Sequence, residues 1–173
     1  VAVREILLLG HPDLYKVCEP YAKDEVADIQ AVVDDLHDTM MDFRAQNGVG
    51  RAIAAPQIGV LKRLVYMHIE QPVVFINPVL HNMSDEMIEL WDDCMSFPNL
   101  LVKLKRHRRC KITYRDMAWQ EQTMDLDGDL SELLQHEYDH LDGILAVSRA
   151  LDSQSFSFRS QRHFIQELVV GGN

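Results

Sequence analysis

Cysteine is scarce: Cys18, Cys94 and Cys110 are the only three in 173 residues, too few and odd in number for a disulfide framework. A reducing compartment, the cytoplasm, is the setting this usage suggests. No long apolar run opens the chain, where Ile6-Leu7-Leu8-Leu9 falls far short of a signal-peptide core or a membrane span. Val1 is not an initiator methionine, which leaves an organellar protein with a trimmed leader open. Basic charge is in deficit, with 17 Lys and Arg against 27 Asp and Glu and a formal net charge of -10. That balance favours solubility and argues against DNA or an anionic membrane as the main partner. Repeats, low-complexity tracts and linkers are lacking too, so residues 1–173 read as one domain with a sizeable core.

What is present has the rhythm of an α+β fold. Asp24 can cap a helix running to about Ala45, because Val26, Ile29, Val33, Leu36, Met40 and Phe43 recur at helical spacing. Asn47-Gly48-Val49-Gly50 ends it with residues that tolerate positive φ. Short β-like runs follow at Arg63–Ile69, Val73–Ile76, Met87–Trp91, Val102–Leu104 and Cys110–Tyr114, punctuated by Pro72, Pro78 and Pro98. A second helix is expected from Asp127-Gly128-Asp129 to Asp142, with Gly143 just beyond it. Leu130, Leu133, Leu134, Tyr138 and Leu141 are its apolar positions. Ile144–Val147 reads as another strand, and Ser153–Val169 as a C-terminal helix packed through Phe156, Phe164, Ile165 and Leu168. The expected class is α+β, with short antiparallel strands packed around a central helix between an N-terminal and a C-terminal one.

That central helix carries His136-Glu137-Tyr138-Asp139-His140. A spacing of four places both imidazoles on one face, one turn apart, where they can share a cation, with Glu137 beside them. The bland alternative is a pair of surface histidines among ordinary carboxylates. A catalytic metal site needs a third protein ligand. Downstream, His163 and Glu167 are weak candidates; upstream, Cys94 lies in Trp91-Asp92-Asp93-Cys94-Met95-Ser96-Phe97-Pro98, whose acids and turn residues are not core composition.

Three segments together resemble the peptide deformylase family. Gly48-Val49-Gly50-Arg51-Ala52-Ile53-Ala54-Ala55-Pro56-Gln57 is similar to its Gly-x-Gly-Leu-Ala-Ala-Pro-Gln motif. Asp92-Asp93-Cys94-Met95-Ser96 is similar to its Glu-Gly-Cys-Leu-Ser motif. Gln135-His136-Glu137-Tyr138-Asp139-His140-Leu141 is similar to its Gln-His-Glu-x-Asp-His-Leu motif. The resemblance implies metal-dependent hydrolysis of the formyl group at the N-terminus of formyl-methionyl peptides or nascent chains. It implies Cys94, His136 and His140 as metal ligands, Glu137 as acid/base, and an oxyanion hole from the Gln57 amide and the Met95 backbone N–H. Fe²⁺ is the ion the family commonly uses, with Zn²⁺, Ni²⁺ or Co²⁺ accepted; a Cys-His₂ set would not by itself select iron. Two alternatives stand beside this reading: a related metalloamidase acting on another formyl- or acyl-amine, and a non-catalytic binding protein. The intact Gln57, Cys94 and Glu137 set argues against the latter.

Three departures from the family pattern bear on substrate. Arg51-Ala52 reads as an insertion after the Gly-x-Gly turn, beside Val49 and Gly50, which the resemblance places along the substrate backbone. Asp93 stands where the family has glycine. Residues four and seven before a ligand share its helical face, so Glu132 and Asp129 are expected to face the cleft with Leu133, where the family has an apolar pocket. The expectation is a wetter pocket around an unpaired Glu132; the plainer option sends Glu132 to solvent. The basic run Lys103, Lys105, Arg106, Arg108, Arg109 and Lys111 suggests a transient ribosome contact, though the solvated face of a strand pair is the simpler role. One of these arginines could instead pair with Asp92 behind the metal. Asp125, Asp127 and Asp129 do not form a calcium loop, because Gly128 is misplaced and the twelfth position is His136.

Overall fold

The computed structural model of the protein describes residues 2–165. The chain enters through an extended segment and a 3₁₀ turn, Pro12–Tyr15, begun by a proline whose missing N–H costs nothing there. A further 3₁₀ turn, Lys23–Glu25, leads into helix α1, Val26–Asn47. Ile29, Val33, Leu36 and Met40 are its buried stripe, packed against Ile53, Leu64, Ile76 and Met95. The helix ends where Gly48 takes φ 73° and its N–H returns to the Arg44 carbonyl at 2.8 Å.

Among the described residues eight strands form two antiparallel sheets. Five of them, β1 (Ala52–Ala54), β2 (Leu64–His68), β3 (Pro72–His81), β6 (Arg109–Arg115) and β7 (Glu121–Asp127), lie in that order. The other sheet orders β4 (Met87–Asp92), β5 (Leu100–His107) and β8 (Phe156–Phe158). Helix α2, Asp129–Leu141, packs against strands of both sheets. Leu133, Leu134 and Leu141 on α2 join Phe75, Ile112 and Leu126 in the core beneath the larger sheet.

The α+β class and both long helices match expectation, and four differences have physical causes. Strand β3 continues past Pro78 through a register shift between Ile76 and Val79, with Asn77 at φ 49° absorbing the turn. Strand β7 has no apolar alternation, since only Leu126 is buried along it, and pairs with β6 along its whole length. The strand expected at Ile144–Val147 is instead irregular, then a 3₁₀ turn at Ala146–Arg149. The expected helix at Ser153–Val169 is replaced by β8 and a 3₁₀ turn at Arg159–Phe164, with residues from 166 onward outside those described. Phe156 and Phe164 are 42% and 73% exposed, so they do not supply a helical core stripe; β8 instead lends its backbone to the outer edge of β5.

The basic run lies on β5, on β6 and at Arg108 between them, and is largely paired. Arg108 and Arg109 approach Glu86, and Lys111 approaches Asp125. Arg106 is different: it is buried behind the metal-binding motif. No helix among the described residues is long and apolar enough to cross a membrane, and all three cysteines are free and buried.

Candidate metal centre

The centre forms where α2 meets two loops. The backbone leaving β4 turns sharply after Asp92, with Phe97 N–H bonded to the Cys94 carbonyl at 3.0 Å, and holds Cys94 at 1% exposure. From α2 come His136 and His140, also 2% and 1% exposed. The Cys94 Sγ, His136 and His140 ligand atoms all lie within 4.8 Å of one another, and this is the cluster able to hold a metal among the described residues. His163, the weaker candidate for third ligand, is exposed, and Glu167 lies outside the described residues.

His136 and Cys94 are oriented by neighbours, whereas His140 Nδ1 is buried without a hydrogen-bond partner. His136 Nδ1 donates to Asp92 Oδ2 at 2.8 Å, which leaves Nε2 buried without a hydrogen-bond partner and free to coordinate. His140 Nε2 lies 3.3 Å from Cys94 Sγ. Gln57 Nε2 and the Ser96 N–H each approach that sulfur at 3.5 Å. One thiolate and two imidazoles are a donor set that suits a divalent transition metal, so the residues fit the ion the motif implies.

Asp92 is itself held. Arg106 Nη2 donates to its Oδ2 at 2.9 Å, Arg106 Nη1 reaches Asp139 at 2.7 Å, and Arg149 grips Asp139 at 2.6 and 2.9 Å. Burial alone would raise the Asp92 carboxyl, but His136 and Arg106 hold it well below the usual carboxylate range. Burial likewise pulls both imidazoles down; at His136 the Asp92 and Cys94 charges reverse this, whereas His140 stays well below its ordinary value. Asp93 accepts from Arg159 at 2.6 Å, so its carboxylate anchors the C-terminal segment to the cysteine loop.

Gln57 sits in a 3₁₀ turn, Ala55–Ile58. Its Oε1 accepts the Ala54 N–H at 2.9 Å, which turns Nε2 toward Ser96 Oγ at 3.1 Å and toward Cys94. Glu137, 1% exposed, has Oε1 4.0 Å from His136 Nε2 and Oε2 without a hydrogen-bond partner. Burial pushes its carboxyl up to about 7. Met95 is buried, its Cε 3.2 Å from where a Cβ on Gly50 would stand; Gly50 has φ 138° and its carbonyl is held by Arg44.

Half-buried Val49 lines a cavity of about 160 Å³ with Phe43, Cys94, Asn99, Arg159 and Arg162. Asp129 is exposed, and Leu133 is wholly buried in the sheet core. Glu132 follows neither expectation. It is not turned to solvent, being 3% exposed, and it is not unpaired, because Arg51 Nη2 donates to its Oε1 at 2.7 Å. Sequence reasoning missed Arg51 as its partner, and missed Ser96, Arg149 and the lock that Gln135 makes with His107 and Ser131.

A buried Cys-His₂ cluster with an adjacent carboxylate and a carboxamide is the machinery of a metal-dependent amide hydrolase. The family model described as polypeptide deformylase matches residues 3–156. A peptide deformylase of Parafrankia sp. is 41% identical over 157 residues, covering 90% of this chain and 82% of that protein. Among solved structures, peptide deformylase from Thermotoga maritima superposes with a TM-score of 0.81 at 28% identity, covering 88% of this chain and 100% of that one. The Met-Ala-Ser-bound class I type b peptide deformylase of Acinetobacter baumannii gives 0.79 at 26% identity, covering 86% and 98%. The chain belongs to the polypeptide deformylase family.

Proposed function

We propose that this chain removes the formyl group from the N-terminus of nascent peptides, with Cys94, His136 and His140 holding one divalent ion, Glu137 moving the proton and Gln57 binding the formyl oxygen. The observation that carries this reading is the convergence of all five side chains in one buried cluster, with His136 Nε2 and Glu137 Oε2 lacking other partners. The bound ion would supply Lewis acidity toward the formyl carbonyl and toward a water nucleophile near neutral pH. Fe²⁺ is the native ion in this reading, on the family resemblance; zinc, nickel or cobalt would fit the same donors.

The protein's own groups do the remainder. Asp92 holds the His136 ring and fixes which nitrogen faces the ion. Glu137 accepts a proton from the attacking water and returns it to the amine as the C–N bond breaks, giving formate and a free N-terminus. The Gln57 amide N–H, aimed by Ala54, meets the charge that builds on the formyl oxygen, and the Met95 backbone N–H beside Cys94 is assigned as the second donor. Val49, which lines the cavity beside Cys94, and the adjoining Gly50 are assigned to the path of the substrate backbone on the family resemblance. Burial protects the reaction from bulk water, and a reducing cytoplasm suits a catalytic site whose ligand is an oxidisable thiolate.

Support also comes from the tripeptide Met-Ala-Ser bound to the Acinetobacter baumannii relative, which is what deformylation of formyl-Met-Ala-Ser would leave. The test is formate release from formyl-Met-Ala-Ser under anaerobic conditions, with metal content measured on the same sample. Metal-dependent release, lost on chelation and restored by Fe²⁺, is expected. A fully metallated protein that cleaves no formyl-peptide would instead favour the binding-protein alternative.

A further inference from the structure

Behind the metal-binding motif lies a second cavity, of about 320 Å³, that the proposed reaction does not use. Gln135, Tyr138, Asp139 and Asp142 reach it from the end of α2, on a stripe offset from the one that carries His136 and His140. Leu80, Met83 and Met87 form an apolar wall, with Met83 and Met87 36% and 40% exposed. Thioether side chains of this kind adapt to an apolar occupant. Lys105, Arg106 and Arg149 bring positive charge to the remaining side. A cavity of this volume, apolar on one side with a few convergent charged groups on the other, has the make-up of a small-molecule site.

The charges decide what it can take. Asp139 is engaged at both oxygens, Oδ2 by Arg106 and Arg149 and Oδ1 by Arg149. Asp142, the other acid in the lining, meets Arg63 at 3.0 Å. Neither carboxylate is open to an incoming cation. Lys105 is in the opposite position: it has no ion pair among the described residues, although Glu89 stands across from it in the β4–β5 ladder. Arg149 is 43% exposed and bonds Asp139 through Nε and Nη2 alone, which leaves Nη1 for another acceptor. With Lys105, Arg106 and Arg149 set against Asp139 and Asp142, the lining carries one positive charge in excess, and an anion matches it. The cavity also reaches the metal site. Arg106 holds Asp92 at 2.9 Å, and Asp92 holds His136 Nδ1 at 2.8 Å. An anion that draws Arg149 outward leaves Asp139 to Arg106, which then turns from Asp92 toward Asp139. A continuous set of contacts thus joins the cavity to a metal ligand.

We propose that this cavity binds a small carboxylate bearing a short apolar group, with the carboxylate on Lys105 and Arg149 and the apolar group along Met83 and Met87, and that its occupancy slows turnover through Arg106, Asp92 and His136. The test adds hexanoate to the zinc-loaded protein, with hexanol as the same chain without the charge. Backbone amide shifts report binding with no need of turnover, so they stand even if the deformylase reading fails. Hexanoate should move the amides of Lys105, His107 and Arg149 saturably, and hexanol should not. Lys105→Met should weaken hexanoate binding about tenfold or more, the weight of one charge-assisted hydrogen bond. In the formate-release assay hexanoate should lower kcat severalfold while KM for formyl-Met-Ala-Ser stays within about twofold, and Lys105→Met should blunt that loss. Hexanoate that raises KM alone, equally in native protein and in Lys105→Met, would have bound the metal instead and would overturn the proposal. Equal binding of hexanol, or no saturable amide shift up to about 50 mM hexanoate, would overturn it as well. Saturable binding that leaves kcat unchanged would refute the link to His136.

Discussion

Asp92→Asn separates a network that serves the metal from one that serves only the fold. Asp92 is fully buried and accepts from His136 Nδ1 at 2.8 Å and from Arg106 Nη2 at 2.9 Å through the same oxygen. Asparagine keeps the volume and an acceptor but removes the charge. At His136 the ring would donate to a neutral amide and Nε2 would become a weaker base. Loss of such an orienting partner typically weakens metal affinity about 10–100-fold, or roughly 1.4–2.7 kcal/mol. At Arg106, 3% exposed, the guanidinium would keep only Asp139 as a charged partner. The stability cost of that exchange should be roughly 1.5–3 kcal/mol, the worth of a hydrogen bond to a charged group.

Chelator competition measures the first effect and urea unfolding of the metal-free protein measures the second. Arg106→Met is the companion variant, because it leaves the Asp92–His136 bond in place. It should lower stability by a similar amount or more, yet weaken metal binding less than Asp92→Asn does. Asp92→Asn that unfolds more easily but binds metal within about twofold of native would refute the metal role. So would Arg106→Met weakening the metal equally.

Glu137→Gln should retain metal and fold while losing about 10²-fold or more in turnover, the usual size of a general acid/base contribution; loss of metal instead would show that Glu137 is a structural support. Gly143→Ala should cost at least about 3 kcal/mol in urea unfolding, because the residue has φ 72° and a Cβ would stand 2.5 Å from the Tyr15 carbonyl oxygen; a cost below about 1 kcal/mol would mean that the Tyr15–Cys18 backbone yields easily. The side-chain bond from Arg4 holds the Asp35 carboxyl below its ordinary 3.8, so this link contributes stability above that pH and loses it as pH falls through the lowered folded value. With Arg4 57% exposed the effect is at most about 1 kcal/mol. Amide exchange at Ala2 and Arg4, whose N–H groups bond to Asp35 and Thr39, should lose protection at pH 3 relative to pH 6, and equal protection would refute the link.

Much of this architecture was legible because local pattern and burial agree. The α1 stripe of Ile29, Val33, Leu36 and Met40 is buried as its spacing predicts, and the His136–His140 pair shares one face of α2. Legibility failed where backbone pairing overrides side-chain pattern. Strand β7 is set by its ladder with β6, and β8 by the open edge of β5, although Phe156, Phe164 and Ile165 look helical in spacing. Partners distant in sequence were partly legible. Asp92 and Arg106 lie on consecutive strands, so a pairing between them could be anticipated. Arg51 and Glu132 belong to separate elements with no local signal joining them, and each alone looks like a departure from the family pattern.

The polar load on α2 gives those departures a common logic. Ser131, Glu132, Gln135, His136, Glu137, Asp139 and His140 are all buried on one short helix, far beyond what an amphipathic stripe requires. Burial of so many polar groups is tolerable only if other elements satisfy them. Ser131 and Gln135 are met by the His107 carbonyl, Asp139 by Arg106 and Arg149, His136 Nδ1 by Asp92, and Glu132 Oε1 by Arg51. Among the atoms of α2 left without a partner are His136 Nε2, Glu137 Oε2 and Glu132 Oε2. The first two face the chemistry expected of the family. The third lies one turn away on the same helix, beside the Arg51 guanidinium that takes the other oxygen of that carboxyl group, so the unmet polar capacity of α2 is gathered at the metal-binding end of its buried face.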